Sequence, residues 1–262
     1  MSGLALNWAA LDPALLLWPC VAGLLVLATH VPLGRRVLAR GIIFLDLAIA
    51  QLAVLGVIFA HTLGWETQGW QTQFAATSSA LMGAVFLAWC EKRWPDIQEA
   101  LIGSTFVVAA SLAVLMLSND PRGGEHLSAL LTGQILWVST AQITQIALLY
   151  AVLLAVWGVL RERVGRLGFY LVFALAITAS VQLIGVYLVF ASLILPALAV
   201  RRMQGARALV IGVVLGTIAY AAGLILSALA DLPSGPSIVV ALALMALLTG
   251  NMWVLAVGKT RH

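Results

Sequence analysis

Charge is scarce in this chain: Asp, Glu, Lys and Arg make up only 9% of its 262 residues, against 63% that are hydrophobic. Soluble domains carry about 25% charged residues, so a water-exposed globule of this length is excluded. Cysteine is also sparse. Cys20 and Cys90 both sit in apolar runs without motif spacing and read as buried small hydrophobes. There is no HExxH, no GxSxG, no CxxC pair and no glycine-rich phosphate loop, which removes the usual soluble-enzyme signatures. No Walker motif occurs either, so any ATP-driven work requires a separate ATPase. No basic stretch precedes the first apolar run, so a cleaved secretory signal is not expected.

The chain does have apolar length, repeatedly. A helix needs about 20 mainly apolar residues to cross a bilayer. Eight segments qualify or nearly so, at residues 14–31, 41–62, 76–90, 100–118, 142–160, 168–200, 208–230 and 237–257. With a mean hydropathy of +1.07, the expected fold is all-α: a polytopic transmembrane helical bundle of about eight apolar segments. No connection is long enough to form a soluble domain, so residues 1–262 read as one transmembrane domain. Trp65, Trp70, Trp94 and Trp137 lie near segment ends, as interfacial anchors do. The net charge of +4 reads as loop bias rather than a nucleic-acid footprint.

Those loop charges predict topology, because Lys and Arg accumulate on the cytoplasmic side. Arg35, Arg36 and Arg40 place the first connection inside, and Lys92 and Arg93 place the third there. Residues 61–73 and 120–126 then fall outside, while Arg161, Arg163 and Arg166 return inside. The alternation fails at Arg201, Arg202 and Arg207, which also belong inside although one segment separates the two clusters. That segment, residues 168–200, would run ~50 Å as a straight helix, against a hydrocarbon core of ~30 Å. It is therefore expected to break, near Gln182 to Gly185 or near Ser192 to Pro196, into a span and a short returning helix. This places the N-terminus outside and the C-terminus, with Lys259 and Arg261, inside the cell (inner) membrane.

Asp46 is the residue that apolar packing does not explain. It stands in Gly41 to Gly56, GIIFLDLAIAQLAVLG, where Gln51 is the other strongly polar side chain. An ionised carboxylate in a spanning helix costs at least a few kcal/mol, so it reads as lining a translocation path or as half of a structural pair between helices. Gln51 is open between path lining and interhelical hydrogen bonding, and so is Gln182 in the broken segment. Glu99, near the inner end of its span, reads as capping or pairing with Lys92 or Arg93 before ion handling. On the outer side, Glu125 and His126 form a loop pair, either solvated or ion-receiving. His61 reads as interfacial, and His30 sits with the first inside loop. Gly212, Gly216 and Gly223 suit close helix contact.

Five stretches, in order and spread over most of the chain, resemble the metal-ion permease family of ATP-binding-cassette importers, the zinc/manganese/iron branch. Arg35 to Gly56, RRVLARGIIFLDLAIAQLAVLG, is similar to that family's first cytoplasmic turn and its acid-plus-histidine helix. Glu99 to Gly103 (EALIG), Leu130 to Ser139 (LLTGQILWVS), Gly185 to Arg202 (GVYLVFASLILPALAVRR) and Asp231 to Val240 (DLPSGPSIVV) resemble later elements. The resemblance implies a homodimeric permease, a cytoplasmic ATP-binding subunit and an extracytoplasmic metal-binding protein. It also implies a transported divalent metal passing Asp46 and Gln51, with Glu99 and Gln182 as weaker candidates, and no cofactor bound by this chain.

Two departures from the family pattern matter. The family places its acid and histidine four apart; here Gln51 stands at the histidine's position, five after Asp46, or about 140° round a regular helix. A π-bulge would restore the alignment. The inside connection Arg161 to Gly168 is shorter than the coupling segment usual in the family. The rival readings are an ion-coupled carrier or channel without an ATPase, and a non-transporting membrane scaffold.

Overall fold

The computed structural model describes residues 13–66, 69–118, 120–160 and 165–258. Among them every regular element is helical: α1 (Pro13–Arg40), α2 (Leu45–Thr62), α3 (Trp70–Arg93), α4 (Gln98–Leu117), α5 (Gly123–Thr132), α6 (Thr140–Leu160), α7 (Arg166–Ile184), α8 (Val186–Ala199), α9 (Gly205–Ala230) and α10 (Ser234–Gly258). Seven of these are long and apolar enough to cross a membrane, and α8 and residues 234–249 of α10 add shorter apolar stretches. The all-α, multi-pass character expected from composition is therefore present.

Several boundaries differ from the sequence reading. α1 continues through Arg35 and Arg36 to Arg40, where a loop was expected. Its last turn gains from positive side chains beside the helix C-terminus. The chain then turns at Gly41 (φ +71) and restarts as helix at Leu45, so Asp46 lies in the first turn of α2. Residues expected as an outer loop around Glu125 and His126 form the short helix α5. The long segment 168–200 does break, and it does so at Gly185; Pro196 lies inside α8 and ends no helix.

Gly185 shows why the break falls there. Its backbone, φ +79 and ψ 162, lies in a region essentially reserved for glycine. Gly133, after α5, has a similar conformation, φ +72 and ψ 172. The two residues press backbone against backbone, and a Cβ on either would fall on main-chain atoms of the other's segment. Tight main-chain contact stops one helix and anchors the end of another.

The chain separates into two compact units interleaved in sequence. One consists of Met1–Ala39, Gln134–Ile143 and Tyr187–His262. In it the glycines of α9 admit close neighbours: a Cβ at Gly216 would strike Leu27 of α1, one at Gly212 would strike Val31, and one at Gly223 would strike the backbone of Ile238 in α10. The opposite face of α9 exposes Val210, Val214 and Ile218, an apolar stripe suited to lipid. The hydroxyls of Ser192 and Tyr220 share a 2.7 Å hydrogen bond in the buried interior. Arg35 donates to the carbonyls of Met203 (3.0 Å) and Gly205 (3.3 Å), bracing the turn between α8 and α9. That arginine therefore has a structural task besides its charge. Ser139 and Gln142 cap α6 reciprocally: the Ser139 amide donates to Gln142 Oε1 (2.9 Å), and the Gln142 amide donates to Ser139 Oγ (3.2 Å).

The other unit consists of Arg40–Gly133 and Thr144–Val186. Here α2 packs against α3, α4 and α7, and α3 also packs against α7. Gly56 and Gly83 allow the α2–α3 approach, since a Cβ at Gly56 would meet the backbone of Ala75 and Ala76 and one at Gly83 would meet Leu52. Ile49, Leu87, Ile102, Phe173 and Ile177 are buried. Outward, α4 exposes Val107, Val108, Val114 and Leu115, which a hydrocarbon environment would cover.

Candidate functional site

Asp46 has no exposed surface and Gln51 is only 5% exposed, so these two polar side chains of α2 lie inside the folded chain. Both carboxylate oxygens of Asp46 and the Oε1 of Gln51 are buried without a hydrogen-bond partner among the described residues. A buried polar group without a partner is expensive, on the order of a few kcal/mol, and a charged one more so. The position of Asp46 in the first turn offers partial compensation, because the helix N-terminus carries about half a positive charge. The structural pair considered for Asp46 finds no partner among the described residues.

From Leu45 to Thr62, α2 is an uninterrupted α-helix. The π-bulge that would have aligned Asp46 with Gln51 is absent, and the two remain about 140° apart round the axis. Two further polar groups in the same condition lie on α7. Thr178 Oγ1 and Gln182 Nε2 are buried without partners, and their spacing of four puts them on one helix face. Thr178 was missed in the sequence because an isolated threonine in an apolar run usually bonds its own helix; its i, i+4 relation to Gln182 was the available signal.

Of the two roles expected of Glu99, capping or pairing with Lys92 or Arg93, no ion pair with either is present among the described residues. Glu99 Oε1 accepts the backbone amide of Phe44 at 3.2 Å, which fastens the turn leading into α2 to the start of α4. An amide just ahead of a helix has no intrahelical acceptor, and the carboxylate supplies one. Arg93 instead lies near the ring of Trp94, 5.9 Å from its centroid. Around the same end of this unit, Arg166 pairs with Glu91 at 3.5 Å, Gln98 Nε2 donates to Tyr170 Oη at 2.7 Å, and Arg40 stacks over Phe169 at 4.3 Å. The sequence singled out Arg166 and Arg40 for topology only; Glu91, Gln98 and Tyr170 carried no signal without their neighbours. Arg161 and Arg163 lie outside the described residues.

His30 is not a loop residue. It is fully buried in α1, with Nδ1 3.0 Å from both the Val26 carbonyl and the Thr29 hydroxyl. His126, expected to act with Glu125, lies instead with His61 and Asp120: one ligand atom from each falls within 4.8 Å of the others. Glu125 is exposed in the first turn of α5.

Comparison with known proteins agrees with this architecture. The chain resembles PsaBC from Streptococcus pneumoniae, solved in complex with Fab, with TM-score 0.72 and 18% identity over 90% of each chain. It also resembles an inward-facing ABC transporter described as of the metal-chelate type, with TM-score 0.61 and 14% identity over 99% of this chain and 93% of that one. At such identities these matches establish the fold. A family model described as the ABC 3 transport family matches residues 13–165 and 159–253, nearly the whole chain. The chain therefore belongs to the ABC 3 transport family, the metal-ion permease family that its five motifs resemble.

Proposed function

We propose that this permease carries a divalent metal ion, of zinc or manganese type, through the cell (inner) membrane into the cytoplasm. It would work as a homodimer with a cytoplasmic ATP-binding subunit and an extracytoplasmic metal-binding protein. The observation that supports a cationic cargo is the buried, unpartnered carboxylate of Asp46 on α2. A divalent cation is the natural complement of such a group, since it supplies the charge that the surroundings lack. Gln51, Thr178 and Gln182 add neutral oxygen and amide groups on the two packed helices α2 and α7. ATP binding and hydrolysis on the partner would alternate the dimer between outward- and inward-open states. Because Asp46 is fully enclosed, one of those states must separate α2 from its neighbours to admit the ion.

Radiometal uptake by the complex reconstituted into liposomes tests this reading. Uptake that requires ATP and the ATPase supports it. Uptake by the permease alone would favour a carrier or channel, and none under any condition would favour a scaffold.

Topology is a second test. Cysteines placed in 61–73 and 231–236 are expected to react with a membrane-impermeant thiol reagent from outside, and those in 161–166 and 201–207 only after permeabilisation. Labelling of 161–166 and 201–207 from opposite faces would refute the return of the chain to the inner side within residues 168–200.

Arg201, Arg202 and Arg207 are exposed in the turn between α8 and α9 and at the start of α9, and Arg166 is exposed at the start of α7. If the ATPase docks on these basic segments, co-purification should weaken when Arg161, Arg163 and Arg166 are changed together to Ala. An undiminished complex would place docking elsewhere.

A further inference from the structure

We propose that His61, Asp120 and His126 form a binding site for a divalent transition-metal ion, separate from Asp46 and at the other end of α2. The three side chains come from three elements: the last turn of α2, the connection after α4, and the first turn of α5. Their ligand atoms all lie within 4.8 Å of one another. Coordination at about 2.0–2.2 Å needs ligand atoms roughly 3–3.5 Å apart, so seating an ion takes a closure of up to about 1.5 Å. These side chains can supply it, because His126 and Asp120 keep 36% and 23% of their side-chain surface exposed and can rotate.

The present contacts do not saturate the groups. His126 Nδ1 and Asp120 Oδ2 are 3.8 Å apart, an ion-pair distance but too long for a hydrogen bond. The His61 and His126 rings meet edge to face at 4.7 Å, which brings two imidazoles together without joining their nitrogens. Asp120 is already oriented: its Oδ1 accepts the Arg122 amide at 2.9 Å, which leaves Oδ2 to face the histidine. Two imidazoles and one carboxylate suit zinc, iron or cobalt over calcium or magnesium, which prefer all-oxygen shells. Three protein ligands also leave coordination positions open, as expected of a site that exchanges its ion and unlike a closed structural site.

Position suggests what the site is for. His61 lies fifteen residues beyond Asp46 on the same unbroken helix, ~22 Å along its axis. An ion held there would sit at the end of α2 remote from the buried carboxylate, where it can be received before it moves inward. That receiving role rests on the permease function and the topology proposed above; the binding itself does not.

The test uses the full chain in detergent, titrated with Zn²⁺ and with Co²⁺, whose visible absorption reports imidazole ligation. One ion with histidine character is expected. Its affinity should fall about tenfold or more in His61→Ala, His126→Ala and Asp120→Asn, and should persist in Asp46→Asn. X-ray absorption of the zinc-loaded wild type should show two imidazoles. Unchanged affinity in the His61→Ala/His126→Ala double variant with an unaltered melting temperature, or an all-oxygen shell, would overturn the site. In reconstituted uptake, the double variant should raise the half-saturating metal concentration severalfold with its maximal rate retained. An unchanged concentration dependence would overturn the receiving role. Absence of uptake by the wild type would count against the permease reading while leaving the binding measurement decisive for the site.

Discussion

Asp46→Asn should reduce metal uptake to background while leaving the protein as stable as the wild type. The amide keeps the carboxylate's shape and removes its charge. No hydrogen bond or ion pair is lost, because neither carboxylate oxygen has a partner among the described residues. A carboxylate about 4 Å from a unit positive charge is worth about 4 kcal/mol at an effective dielectric of 20, roughly a thousandfold in affinity, and more for a divalent ion. Were Asp46 half of a structural pair, its loss would instead lower stability by about 3–5 kcal/mol. Uptake with several metals and melting temperature in detergent separate these outcomes. A stable Asp46→Asn protein that transports normally would remove Asp46 from the path. Gln51→His is the companion change. It introduces the imidazole that zinc-like ions favour, though 140° from the carboxylate, so metal preference should move toward zinc while total uptake need not rise.

Gly185→Ala and Gly133→Ala should each destabilise the fold severely. Both glycines occupy a backbone region that costs an L-residue about 1–3 kcal/mol, and both lie where a Cβ would meet main-chain atoms that cannot swing aside. The expected readout is a large fall in melting temperature or in the yield of folded protein. Gly103→Ala is the control: Gly103 is helical, a Cβ there meets nothing within 4 Å, and the change should be neutral or stabilising by up to about 1 kcal/mol. Equal effects at all three positions would show that the contact between Gly133 and Gly185 does not hold these helix ends.

Sequence by itself determined the class of this protein. Apolar length is a local property that demands spanning helices whatever the neighbours, so the all-α character and the break in residues 168–200 were legible from runs and charge. Asp46 and Gln51 stood out for the same reason, since a polar group within an apolar run is conspicuous without a structure. The small faces of Gly212, Gly216 and Gly223 were also readable, because helix periodicity assigns a face to each residue. The remaining features depended on which residues meet through space. Gly185 rather than Pro196 ends a helix because Gly133, some fifty residues earlier, presses against it. Glu99 holds the Phe44 amide instead of a nearby lysine or arginine because the turn after α1 delivers that donor. His61 and His126 lie more than sixty residues apart in sequence and no local pattern joins them; only the folding of α2, α4 and α5 brings them beside Asp120.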